Sequence, residues 1–459
     1  MSRGKKLGIL TGILAVVILA TVLTAQIVQR KEAEEATANV ETVAAISADD
    51  VTELSWSYNG EQMHFVRQED TWINGEDESF PADTDLLDNM VASLTEIASS
   101  KTISGTAERS EFGLDPAVVD LTVTADREYH LLLGNESPID GSVYACLDDG
   151  QVFLTDSILR SQFSRDLLDL VEKESTPTMD SIQSVEIRRD QGTLHLEYDD
   201  SSSRSWDESY VWFAEEGGNT VTLDTDKVQG LLQTIKYLQW TDTAAYHVDS
   251  SKLAEYGLDD PAAAVTVSYT DENGDDGTFL VDIGTENDDG TCYGMIHGSD
   301  RIYRTDSTVY DSLSETDIES LLPNDVLKMD WDTVKSMKMI LDDTVYTMTR
   351  NSKEDTVDEA SEEETSWEWT YEDNTLDLTE ALNSLTALSA EEMDPDTTEG
   401  DSVFALLMER NTANYPQMEL TVWELDEDYY GITVNGEHRL KILKETMDPV
   451  IQQFRDAAE

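Results

Sequence analysis

Beyond residue 50 the chain alternates short runs of period two with amphipathic stretches of period near 3.6, and it does so three times. Leu54, Trp56 and Tyr58, then Met63 and Phe65, alternate with polar residues on either side of Asn59-Gly60, which predicts a two-stranded hairpin. The opening returns as Val185 and Ile187, a turn near Gln191-Gly192, then Leu194 and Leu196. It returns again as Met337 and Met339, a turn at Asp342-Asp343, then Val345 and Tyr346. A tryptophan-bearing strand follows each time: Trp72, then Trp212, then Trp367 with Trp369. Recurrence within one chain makes these core aromatics, with ligand stacking as the alternative. Next comes a helix. Its apolar stripe is Leu86, Leu87, Met90, Val91, Leu94 and Ile97, with Asp83 or Thr84 as cap. Val228, Leu231, Leu232, Ile235 and Leu238 repeat the stripe, and so do Leu378, Leu382, Leu385 and Leu388.

The second half of each unit opens on a shared segment. Glu111-Phe112-Gly113-Leu114-Asp115-Pro116 returns as Glu255-Tyr256-Gly257-Leu258-Asp259-Asp260-Pro261. Gly113 and Gly257 fit the left-handed end of a short helical turn, and Pro116 and Pro261 favour extended chain before them. Strands follow at Val118–Thr124 and Ala264–Tyr269, then at Tyr129–Leu133 and Thr278–Ile283, closed by Gly134 and Gly284. Thr155-Asp156-Ser157 and Thr305-Asp306-Ser307 then read as helix caps rather than nucleophiles. The third copy lacks the Gly-Leu-Asp-Pro segment. Its tail reads as strands Met418–Leu425, Tyr430–Val434 and Arg439–Leu443 with a helix from Asp448, a unit shortened by one strand. Residues 353–364 form an acidic insertion, read as a solvated loop.

Charge narrows the partners. The 459 residues carry 30 basic and 97 acidic side chains, a net −67. All five basic residues of the first 31 (Arg3, Lys5, Lys6, Arg30, Lys31) stand in a stretch without acids. The remainder therefore sets 25 basic against 97 acidic side chains, a field that repels nucleic acid and anionic headgroups. Apolar content of 39% is nonetheless enough for packed cores. The two cysteines, Cys146 and Cys292, stand two residues after Tyr144 and one before Tyr293. That parity difference sends them to opposite faces, so they read as buried or free thiols rather than a metal pair.

Leu7 to Val28 is free of charge and matches the roughly 20 residues needed to cross a bilayer. An uncleaved anchor is expected, with a cleaved signal as alternative, because Leu23 stands where cleavage wants a small residue. Glu32 to Ala48 reads as a polar linker or an extension of that helix.

Chemistry is sparse. His64 and His195 occupy matching places in the second strand, with Tyr346 as the third-copy counterpart, and alternation turns both histidines away from the core. His130, His247, His297 and His438 fit no metal or nucleophile motif. Asp271 to Gly277 imitates a calcium loop, but Asp276 stands where glycine is required, so it reads as a hairpin turn. No catalytic, cofactor or metal residue is assigned, and the chain is read as no enzyme.

The Trp strand, the amphipathic helix, Gly-Leu-Asp-Pro, the hairpin stops Leu131-Leu132-Leu133-Gly134 and Val281-Asp282-Ile283-Gly284, and Tyr144 and Tyr293 before a capped helix together resemble the bacterial family of domain of unknown function 4340. The resemblance covers residues 51–170 and 182–322. It implies a single N-terminal anchor and company with gliding-motility-type ABC transporter components, and carries no catalytic residues. The expected fold is α+β: an N-terminal transmembrane helix, then tandem repeats of antiparallel sheets with packed amphipathic helices. Boundaries are expected at 1–31 (anchor), 32–49 (linker), 50–175, 176–325 and 326–459, the last a degenerate copy. The expected role is a non-catalytic extracytoplasmic interaction module in the cell membrane, accessory to an ABC-type transporter or envelope complex. The alternative is an extracytoplasmic domain binding envelope polysaccharide or calcium.

Overall fold

The structure is a computed structural model that describes residues 40–458 apart from 105–107, 149, 202, 217, 343, 351–367, 393–396 and 437. The chain divides into two compact units, 1–174 with 242–247, and 175–241 with 248–459. The apolar stretch Leu7–Val28 lies outside the described residues, as does most of the acidic insertion. Among the described residues no helix is long and apolar enough to cross a membrane.

The first unit is built on one antiparallel sheet. Its strands lie in the order Thr71–Asn74, Glu61–Gln68, Glu53–Tyr58, Val119–Thr124, Glu128–Glu136, Val143–Leu147, Phe153–Thr155 and Lys101–Thr102. Alternation sends Leu54, Trp56, Met63, Phe65, Leu121, Leu131 and Leu133 to one face. There they meet Leu87, Met90 and Val91 of helix Thr84–Ala92, and Leu159 and Phe163 of helix Ser157–Phe163. Burying each such side chain contributes about 1.5–3 kcal/mol, so this single face holds the unit together. The Asp83 carboxylate accepts from Leu86 N–H at 2.9 Å and that of Asp156 from Ile158 N–H at 2.8 Å, as the capping pattern predicts. The stretch expected as a linker is partly structured. Glu41–Ala44 pairs antiparallel with Ile97–Ser99, and Ile46, 2% exposed, anchors it in the core.

The second unit contains two such sheets. The second copy runs Asn219–Leu223, Trp212–Glu216, Gly192–Tyr198, Ser181–Arg189, Ala263–Thr270, Asp276–Glu286, Thr291–Ile296, Ile302–Asp306. The third runs Asn374–Asp377, Glu368–Tyr371, Thr344–Arg350, Val334–Leu341, Ser402–Arg410, Gln417–Glu424, Tyr429–Val434, His438–Leu443, Glu391–Glu392. These eight strands of the second copy match, one for one, the first eight of the third, so the third copy is not shortened. The missing strand is Ser402–Arg410, whose run Phe404-Ala405-Leu406-Leu407-Met408 has no alternation to announce it. The final helix also starts earlier than expected, spanning Lys444–Ala458 with Pro449 inside. Trp72, Trp212 and Trp369 are 3%, 1% and 0% exposed, which places all three in the cores.

The second and third copies meet through the loop before Trp212. Trp206 donates its indole N–H to the Lys328 carbonyl at 3.1 Å and stands edge-on to Tyr415, ring centroids 5.9 Å apart. Tyr210 donates to Asp325 at 3.0 Å, and burial beside that carboxylate pushes its phenol far up. Arg410, 5% exposed, donates to Thr333 Oγ1 at 2.8 Å, and desolvation lowers its pKa against the pull of Asp207 and Asp330. Nothing in the repeat pattern announced this joint.

The shared motif is a folding device. Short 3₁₀ turns, Arg109–Phe112 and Leu253–Tyr256, end on Gly113 and Gly257 at φ 68° and 65°, the left-handed geometry expected. Each turn then lies against the end of a strand. A Cβ on Gly134 would sit 2.3 Å from the Phe112 carbonyl oxygen, and one on Gly284 would sit 2.2 Å from that of Tyr256. Leu114 closes over Leu132 and Cys146, and the Phe112 ring meets that of Tyr144 at 4.7 Å. Tyr256 meets Tyr293 at 5.0 Å in the same way. In the third copy the step after the Val422–Ile432 pair holds Trp423 opposite Gly431, whereas in the first two copies the register shifts after the Leu133–Ala145 and Ile283–Gly294 pairs, at Gly134 on one strand with Tyr144 on the next and at Gly284 with Tyr293. Trp423 is 1% exposed, lies on Gly431 and donates to Thr433 Oγ1 at 3.0 Å. The glycine and the aromatic have changed strands.

Candidate interaction face

Each sheet buries one face under helices, while its other face carries side chains that belong to none of the three main cores. Cross-strand register lines these side chains into rows, and the rows are where the copies differ. One row reads His64, Ser55, Thr122, His130 in the first copy and His195, Glu186, Thr266, Leu280 in the second. In the third copy it reads Thr347, Lys338, Leu407, Glu419. The counterpart of His64 is therefore Thr347. Tyr346 is one residue out of phase, points to the core and packs on Tyr371 at 5.0 Å.

The histidines behave as surface partners of carboxylates. His64 Nε2 lies 2.7 Å from Glu53, His130 Nε2 2.7 Å from Asp120, and His297 Nδ1 2.7 Å from Asp282. His195 is exposed, and the His438 side chain is outside the described set. Among the described residues no three His, Cys, Asp or Glu side chains converge on a metal-sized point. A serine, a histidine and an aspartate do meet in the first unit. Ser79 Oγ lies 3.1 Å from His247 Nε2 and 2.5 Å from Asp77 Oδ1. Asp77 thus takes the serine proton itself and approaches the same ring nitrogen at 3.8 Å, so it does not orient the imidazole as a nucleophile's base requires.

Many acids are used locally. Asp77, Asp140, Asp199, Asp249, Asp289, Asp306 and Asp377 each carry Ser or Thr two residues on, and that hydroxyl is the main cause holding each carboxyl below its usual range. The spacing Asp-x-Ser/Thr is plain in the sequence and was the missed signal. The calcium-like turn works similarly. Asp271 Oδ1 accepts from Asn273 N–H at 2.8 Å and Asp275 N–H at 3.0 Å, closing the hairpin between Ala263–Thr270 and Asp276–Glu286.

The cysteines take the opposite faces that parity predicts. Cys292 lies in the helix-covered core, where burial pushes its thiol up to about 12, and Cys146 lies under Leu114 on the other face. Two concavities stand out. One of about 390 Å³ in the first unit is lined by Tyr58, Ser157 and Arg160, but that guanidinium already donates to the Gly134 carbonyl and to Glu136. The other, about 590 Å³, lies on the third sheet's open face over Lys338 and Leu407, between Glu409, Glu419 and Tyr415. Its size suits a bound side chain or small ligand.

A family model described as a domain of unknown function (DUF4340) matches residues 72–250 and again residues 212–402. The chain belongs to the DUF4340 family. Both matches open on the same structural position, the core tryptophans Trp72 and Trp212, and each runs beyond the sheet in which it begins. Each DUF4340 match includes one copy of the Gly-Leu-Asp-Pro segment, at 111–116 and at 255–261. No curated protein matches the sequence.

Proposed function

We propose that this DUF4340 protein is a non-catalytic interaction module, held in the cell membrane by Leu7–Val28 with the bulk of the chain extracytoplasmic, and accessory to an ABC-type transporter or another envelope complex. One observation carries the reading. Three sheets share a plan and a helix-covered core, and their sequences diverge on the faces those helices leave bare. Divergence on a bare face over a common scaffold is what distinct contacts demand. The charge-free N-terminal stretch supports the anchor, and the acidic remainder supports a basic protein partner over nucleic acid. Calcium binding is not favoured, because Asp271 already spends its carboxylate on the turn. Crosslinking followed by affinity capture from membranes tests the module, and recovery of this chain alone would defeat it. A protease-protection assay on intact cells tests the topology, and a body cleaved only after lysis would defeat that part.

A further inference from the structure

The third sheet's open face departs from its sisters in one respect. Ile340 pairs across to Val345 on one side and Ala405 on the other, and Leu407 stands two residues along from Ala405. These four form a contiguous apolar strip on the face away from the helices. The same register positions hold Ser57, Gln62, Asp120 and Thr122 in the first copy, and Arg188, Thr193, Ala264 and Thr266 in the second. Val345 is 51% exposed, so the strip is not an extension of the core. Isolated surface apolar residues need no explanation, but a strip that two sister copies keep mostly polar does.

The strip runs into the concavity of about 590 Å³, whose floor is Leu407 and whose charged lining residues are Lys338, Glu409 and Glu419. Its wall is Tyr415, which sits at φ 47° and packs against Trp206 of the preceding copy. A non-glycine residue at positive φ costs free energy that its surroundings must offset, and the Trp206 joint supplies that packing. Glu409 already lies 3.8 Å from Lys335 Nζ and accepts from Ser336 Oγ at 3.1 Å, so the rim itself is balanced, and it is the net charge of −67 on the whole chain that selects a cationic partner and disfavours anionic lipid.

We propose that this face docks a protein segment that carries apolar side chains flanked by lysine or arginine. The apolar groups lie on Ile340, Val345 and Leu407, and the cations meet Glu419 and compete with Lys335 for Glu409. The inference rests on the interaction-module reading and names the face and the chemistry of its partner.

The test uses the full chain in nanodiscs and a fluorescein-labelled peptide alternating lysine and leucine, read by anisotropy. Control peptides alternate glutamate with leucine and lysine with serine. The triple variant I340S/V345Q/L407T installs residues the first copy already carries at those positions, so the sheet is kept. Expected is saturable binding of the lysine–leucine peptide, weakened about tenfold or more by the triple variant and for either control peptide. The rim variant E409K/E419K should weaken it similarly and favour the glutamate–leucine peptide. Equal binding by the triple variant, indifference to peptide charge, no binding at all, or cosedimentation with anionic vesicles that the triple variant abolishes would each overturn the proposal. Membrane capture of a partner reports on the module reading separately, so the two can fail independently.

Discussion

Gly134→Ala probes why the repeat carries its motif. The new Cβ would stand 2.3 Å from the Phe112 carbonyl oxygen, 3.0 Å from Leu114 Cδ2 and 3.1 Å from the Gly113 carbonyl oxygen. Carbon–oxygen contacts settle near 3.3 Å or beyond, so the 3₁₀ turn must retreat by about 1 Å. Backbone is the obstacle, and no rotamer change relieves it. Retreat lifts Leu114, 2% exposed, from Leu132 and Cys146, and disturbs the Gly134 carbonyl that accepts from Arg160 at 2.9 Å. Overpacking of this kind costs about 1–3 kcal/mol. For a unit of about 180 residues that is a fall of roughly 2–12 °C in the unfolding temperature, read by calorimetry, with faster hydrogen exchange over residues 109–134. Gly230→Ala is the control. A Cβ there meets nothing within 4 Å, and the exposed site in helix Thr225–Lys236 should gain about 1 kcal/mol. If Gly134→Ala melts no lower than the parent chain, the close approach does not constrain the fold and the account of the motif fails.

Three further outcomes are expected. Trp423→Ala empties a 1%-exposed site and removes the donor to Thr433, so the second unit should lose about 3–5 kcal/mol in urea unfolding; a loss near zero would contradict the packing described. The Asp-x-Ser/Thr turns contribute stability above the ordinary aspartate range, near pH 3.9, and lose it as pH falls through their lower folded-state values. Replacing Ser79, Ser142 and Ser251 by alanine should therefore shift the acid unfolding midpoint toward neutral pH in circular dichroism, and an unmoved midpoint would refute this. Cys292, its thiol pushed up to about 12 by burial, should resist maleimide at pH 8 in the folded chain and react once denatured; fast native labelling would place it elsewhere.

Much of this fold was legible because it is local. A two-residue turn, a helical stripe, an aspartate cap or a left-handed glycine is specified within a few residues, and Asn59-Gly60, Asp83, Gly113 and Gly257 all did what their chemistry requires. The third copy misled where local signals ran out. Ser402–Arg410 sends Phe404, Leu406 and Met408 to the core but carries the apolar Ala405 and Leu407 on its other face, so its sequence shows no period of two. The phase slip at Tyr346 arose because a two-residue turn and its neighbours are indistinguishable from alternation over so few positions. The candidate face was illegible for a different reason. Ile340, Val345, Ala405 and Leu407 become neighbours only through pairing across about 60 residues of chain, which no window on the sequence contains.

The exchange at Gly134, Tyr144, Trp423 and Gly431 bears on how such repeats diverge. Two facing positions share one fixed volume, and that volume is filled either by a neighbouring turn with a tyrosine or by a single indole. An intermediate with both fillings collides, and one with neither leaves a void, so the two sites are expected to change together. Counting copies by their surviving motif then underestimates them, because the most altered copy is the one that solved the same packing problem with different residues.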